Sequence, residues 1–133
     1  MPLEHSIDAQ RNFLVTRVRG AITSDDLIRY LTAVKQDRRL RPGYLSLFDL
    51  GEALPGDLDG DAVRRAAEVA RRFDERTGPV RVAVVAPSDV AFGMARMYGA
   101  LVDGLQREVR VFREAREAEA WLCGSAPEDG GAA

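Results

Sequence analysis

The stretch VRVAVVAPSDVAFGMARMYGALVDGLQREVRVFREAREAEAWL, residues 80–122, decides the fold. Val80–Ala86 is a continuous apolar, β-branched run, the pattern of a strand covered on both faces, and it is placed at the sheet centre. Pro87 stops it. Ser88 then caps a helix whose first turn holds Asp89. Val90, Met94, Met97, Tyr98, Leu101 and Leu105 share one helical face, and Phe92, Ala95 and Val102 widen it. Glu108–Arg113 alternates Val109 and Val111 with charged residues, as an edge or half-covered strand does. Glu114–Leu122 closes the unit as a short helix that turns Ala118, Trp121 and Leu122 inward.

Working upstream, Gly78-Pro79 is a strong helix stop. The helix it ends is expected over residues 58–77, with Ala62, Val63, Ala66, Ala67, Ala70 and Phe73 inside and arginines outside. Before it lie the acidic loop GEALPGDLDGD and a short apolar strand, Tyr44–Leu50. Thr23 caps an earlier helix. Asp25 and Asp26 stand in its first turn, Ile22 and Leu27 have staple spacing, and Leu27, Leu31 and Val34 form its apolar stripe. Arg38, Arg39 and Arg41 suit the negative end of that helix. Glu4–Ala9 and Phe13–Arg19 read as a hairpin, the first strand an antiparallel edge and the second deeper in the sheet. The order is β-β-α-β-α-β-α-β-α. Alternating strands and helices joined by short connections imply an α/β fold with a five-stranded, mostly parallel sheet and four helices.

At 133 residues, one domain is expected over residues 1–123, followed by a small, polar, disordered tail at 124–133. The net charge of -2 argues against a nucleic-acid binder. The single cysteine, Cys123, cannot form an internal disulfide, and the N-terminus lacks the character of a signal peptide. No apolar run is long enough to span a bilayer. A cytoplasmic protein is the expectation.

The candidates for chemistry are few. Asp49, Asp57 and Asp59 lie beyond the carboxyl end of the third strand, where open α/β sheets bind ligands. Asp57-x-Asp59-x-Asp61 resembles the start of a calcium loop, but Ala62 stands where that loop needs glycine. Carboxylates at a helix N-terminus need no ion, so no metal and no cofactor is expected. Ser88 opens the third predicted helix, where free amides could hold an anion. No Gly-x-Ser-x-Gly elbow surrounds it, and the only histidine, His5, is on the edge strand, so a triad is excluded and the chain is read as no enzyme. The third predicted helix carries more apolar surface than one sheet face covers. Phe92, Met94, Met97 and Tyr98 are therefore candidates for binding a ligand or partner, or for a homodimer contact.

With this order of elements, the chain resembles the SpoIIAA-like family of bacterial proteins, which share the STAS fold. The segments RVAVVAPSD, EVRVFREAREAEAWL and VRGAITSDDLIRYL carry the likeness. The resemblance implies a βα superhelix with helices largely on one side of the sheet. In anti-sigma-factor antagonists a STAS domain binds a kinase, and a serine in the turn that starts the second helix is phosphorylated. The corresponding turn here, Gly56-Asp57-Leu58-Asp59-Gly60, has no serine or threonine, so that switch is not carried over; Asp57 or Asp59 could stand in the phosphoserine's place. The resemblance implies a non-enzymatic regulatory or protein-interaction module whose partner is unknown. The alternative is a carrier of a small apolar or anionic, lipid-like ligand.

Overall fold

The computed structural model describes residues 2–54, 56 and 58–124. Five strands form one sheet in the order β1-β2-β3-β4-β5: β1 Leu3–Asp8, β2 Phe13–Gly20, β3 Leu45–Ala53, β4 Val80–Val85 and β5 Arg107–Phe112. β1 is antiparallel to β2, and every other pair is parallel. The edge placement of β1 and β5 and the inner position of β2 agree with the sequence reading. The middle strand is β3, however, and β4 lies one place off centre. An apolar run reports that both faces of a strand are covered, and α5 covers the second face of β4 without its being central.

The helices are α1 Ser24–Lys35, α2 Gly60–Arg72, α3 Asp74–Thr77, α4 Asp89–Leu101 and α5 Ala115–Leu122. Five helices thus replace the expected four, because the helix expected over residues 58–77 breaks at Phe73 (φ -104°, ψ 13°). Asp74 is drawn out of line there: its carboxylate accepts the Gln106 backbone N–H at 2.9 Å, fastening the single turn of α3 to the start of β5. The third predicted helix is α4. Residue 124 ends the described part of the tail, and the rest of the expected disordered segment lies outside the described residues.

Alternation along the strands sorts two layers. Phe13, Leu47, Ala83 and Val85 face α5 and pack on Ala118, Trp121 and Leu122. Arg81 lies over the Trp121 ring, 4.1 Å from its centroid. Leu14, Val82 and Val84 face the other way, toward α1, α2 and α4. Among the described residues α1, α2 and α4 cover that side and α5 packs on the opposite one, in line with helices largely on one side of the sheet.

Local signals place the helix starts. Thr23 Oγ1 accepts from Asp26 N at 3.0 Å, Asp59 Oδ1 from Ala62 N at 3.0 Å, and Ser88 Oγ from Ala91 N at 3.1 Å. The β1–β2 turn uses Asn12 at φ 56°, a left-handed position that asparagine tolerates, and its side chain pairs with the backbone of Arg41. Trp121→Ala should destabilise the protein by about 3–5 kcal/mol, because it opens the only helix layer on its side. Urea unfolding measures this, and a loss under about 1 kcal/mol would mean that α5 is not clamped to the sheet.

Candidate functional site: a chamber holding two buried cations

The sheet face toward α1, α2 and α4 is not filled. β2 and β3 present Thr16 and Ser46 there, and the helices answer with Ala62, Ala66 and Ala95. Short side chains on both layers leave a gap that native packing density would otherwise close. The result is a chamber of about 130 Å3, walled mainly by Leu14, Ile22, Leu27, Phe48, Val63 and Met94.

Its polar groups are unusual for so apolar a wall. Lys35, on the last turn of α1, is only 6% exposed. It is the only lysine in the chain, the other basic residues all being arginine. Arg107 enters from the start of β5, on the same strand face as Val109. Its Nε and Nη2 are buried and meet no acceptor among the described residues. No aspartate or glutamate belongs to the described lining. The chamber is therefore lined by two basic side chains without a counter-charge among the described residues.

The titration behaviour follows. Burial, reinforced by the nearby Arg107 charge, pulls the Lys35 amine down to about 7. Burial pushes the Tyr30 phenol up to about 12, against the opposing hydrogen bond with the Thr16 hydroxyl. Burial also raises Tyr44 and Tyr98, while the Arg107 guanidinium, through its charge and through side-chain hydrogen bonds with both phenols, pulls the other way. A second cleft, of about 320 Å3, shares Val34, Lys35 and Tyr44 with the chamber and adds Arg38, Arg41 and Arg76. Two of these are engaged by backbone carbonyls. Arg76 donates to Lys35 O at 3.0 Å and Gln36 O at 3.2 Å, and Arg41 donates to Ala9 O at 2.7 Å.

Of the residues singled out from sequence, Met94 and Tyr98 reach this chamber. Phe92 lies under the Arg113 guanidinium, 4.1 Å from its ring centroid, and Met97 approaches Gly60 at the start of α2. The wide apolar arc of α4 is thus shared between the sheet, α2 and the chamber. Asp49 accepts the Gly51 N–H at 2.7 Å and pairs with Arg17 at 3.8 Å. Asp59 and Ser88 cap α2 and α4, and Asp57 lies outside the described residues. Asp61 lies on the first turn of α2, paired with Arg64, and among the described residues no cluster of three metal-ligating side chains forms.

Sequence reading passed over Lys35 and Arg107. Both carry a signal. Lys35 continues the apolar stripe of α1 four residues beyond Leu31, and Arg107 continues the inward alternation of Val109 and Val111.

Comparison with known proteins agrees with this architecture. An uncharacterised protein of the DUF3478 family with a SpoIIAA-like fold, from Shewanella loihica PV-4, superposes with a TM-score of 0.59 at 17% identity, over 91% of this chain and 94% of that one. That degree of likeness speaks for the fold alone. No curated protein matches the chain. Among the described residues no helix is long and apolar enough to cross a membrane. The family model for SpoIIAA-like proteins matches residues 13–123, from the start of β2 past the end of α5. The chain belongs to the SpoIIAA-like family.

Proposed function

We propose that this chain is a non-enzymatic regulatory binding module whose input is a small amphipathic ligand seated between the sheet and α1, α2 and α4. The observation that carries this reading is the chamber itself: an apolar space lined by the buried Lys35 and by Arg107, with no carboxylate among its described lining residues. Burying positive charge without a counter-charge is costly, and perturbed groups of this kind cluster where proteins bind ligands. Ala62, Val63 and Ala66 of α2 line the space, so a ligand would touch the helix whose first turn carries the phosphoserine in the related antagonists. That turn lacks serine and threonine here. Occupancy of the chamber takes the place of phosphorylation in this reading.

Self-association is a second element of it. Leu54, 63% exposed, and Val90, 71% exposed, are large apolar side chains just past the carboxyl ends of the neighbouring strands β3 and β4. A homodimer or protein partner would use that end. Sedimentation velocity across a hundredfold range of concentration should show association, weakened in a Leu54→Ser, Val90→Ser double variant. A monomer throughout would remove the homodimer.

Two-dimensional NMR with benzoate and hexanoate, each tested with its neutral amide, examines the ligand reading. Shifts should concentrate on α1, α2, α4 and the inward residues of β2–β4, and their absence for every probe would end the reading. Lys35→Met supplies a second test. Removing a buried lysine that has no ion pair among the described residues should raise stability at pH 7 by about 1–3 kcal/mol. In the wild type the folded lysine titrates near 7 while the unfolded one titrates near 10. Between those values the unfolded chain holds the extra proton, so wild-type stability should rise with pH across that window. The variant should lose that rise. An unchanged pH profile in Lys35→Met would show that the lysine is not buried uncharged.

A further inference from the structure

We propose that the ligand is a small monocarboxylate, whose head is gripped by the side edge of the Arg107 guanidinium beside Lys35 and whose body is one ring or a short chain. This deepens the proposed function and rests on it.

Three observations carry the assignment. The first concerns which Arg107 atoms lack partners. Nε and Nη2 are the two nitrogens whose hydrogens point side by side along one edge of the guanidinium. That edge matches the two oxygens of a planar carboxylate with two parallel hydrogen bonds. A phosphate monoester can accept from the same edge, but it brings up to two charges and a further oxygen against a mostly apolar wall, at a higher desolvation cost than a single carboxylate. The second is Lys35. It is nine-tenths buried, lines the same chamber and feels the Arg107 charge, yet it forms no ion pair among the described residues. One incoming carboxylate supplies the counter-charge for both cations. A lysine that is largely uncharged above neutral pH would take up a proton as the anion arrives.

The third is size. An engineered apolar cavity of roughly 150 Å3 accepts a single benzene. At about 130 Å3, this chamber holds a body of the same order, equivalent to one ring or a chain of roughly six carbons. A long acyl chain would have to run out through the open side of the chamber. The remaining polar wall groups suit this division of labour. Thr16 and Tyr30 bond each other, while Tyr44 and Tyr98 stand next to the guanidinium, where their hydroxyls can donate to the same head.

Isothermal titration calorimetry on the intact chain tests the proposal with benzoate and hexanoate against benzamide, hexanamide, hexyl phosphate and palmitate. The carboxylates should bind at least about tenfold more tightly than their amides, since each amide leaves the buried cations without a charge. Arg107→Lys, which keeps the charge and loses the fork, should weaken carboxylate binding by about tenfold or more. At pH 8, titrations in two buffers of different ionisation enthalpy should reveal proton uptake that Lys35→Met abolishes. Amides binding as well as the acids would overturn the carboxylate assignment and leave the chamber reading standing, using wild-type protein alone. Hexyl phosphate matching hexanoate would overturn the choice of a carboxylate over other anions, Arg107→Lys binding hexanoate as well as the wild type would overturn the role of the fork, and palmitate binding far more tightly than hexanoate would overturn the size class. If no probe binds, this proposal and the proposed function fall together.

Discussion

Two basic side chains lining an apolar chamber, with no carboxylate among the described residues of its wall, are the constraint on which the rest of this structure turns. In water neither charge costs anything. Between a sheet and a helix layer each must be solvated by something else or give up its proton. Arginine cannot give up its proton, so Lys35 is the group that yields, and its amine falls to about 7. Its place at the carboxyl end of α1 favours a cation, yet the two carbonyls there are bonded by Arg76. The helix end is thereby satisfied by an outside guanidinium, and Lys35 itself lines both the chamber and the second cleft.

The sheet makes this possible by being overbuilt on its opposite side. α5 presses Trp121 and Leu122 onto Phe13, Leu47, Ala83 and Val85, so β2–β4 are held without a filled interior on the helix-rich side. Val18 and Ile22 close one end of that side, and Ala67, Ala70 and Val102 join α2 to α4 at another. Between these packed ends the facing residues are short, and the layers stay apart. A gap of this kind forfeits dispersion contacts on both walls. Losing them at a site that also buries uncompensated charge is the pattern of stability surrendered for binding.

Much of the architecture was legible in the sequence because it is written in local signals. Thr23 and Ser88 are caps on the page and caps in the fold. The hairpin at the start of the chain marks β1 as an edge, and the alternation of Val109 and Val111 marks β5 as an edge or half-covered strand, of which the fold realises the edge. The break at Phe73 was not legible, because it depends on Asp74 reaching the Gln106 backbone 32 residues away. The rank of β4 was misread for a related reason: a run such as VRVAVV records burial on two faces and says nothing of the number of neighbours. The chamber was hidden more deeply. Its existence depends on Thr16, Ser46, Ala62, Ala66 and Ala95 meeting one another from separate elements. Its charge depends on two cations, each of which reads alone as an ordinary helix end or strand start. The acidic loop drew attention because its residues are adjacent in sequence, whereas Lys35 and Arg107 are 72 positions apart and meet only in the folded chain.

Lys35 offers an unusually direct view of this constraint, since it is the only lysine in the chain. Labelling lysine at Cε with carbon-13 yields one side-chain resonance, and its shift can be followed from pH 5 to 11. A midpoint near 7 in the ligand-free protein, moving upward when hexanoate is added, is the expected result. A midpoint near 10, the range of a solvated lysine, would contradict the buried, uncompensated cation at the centre of the site.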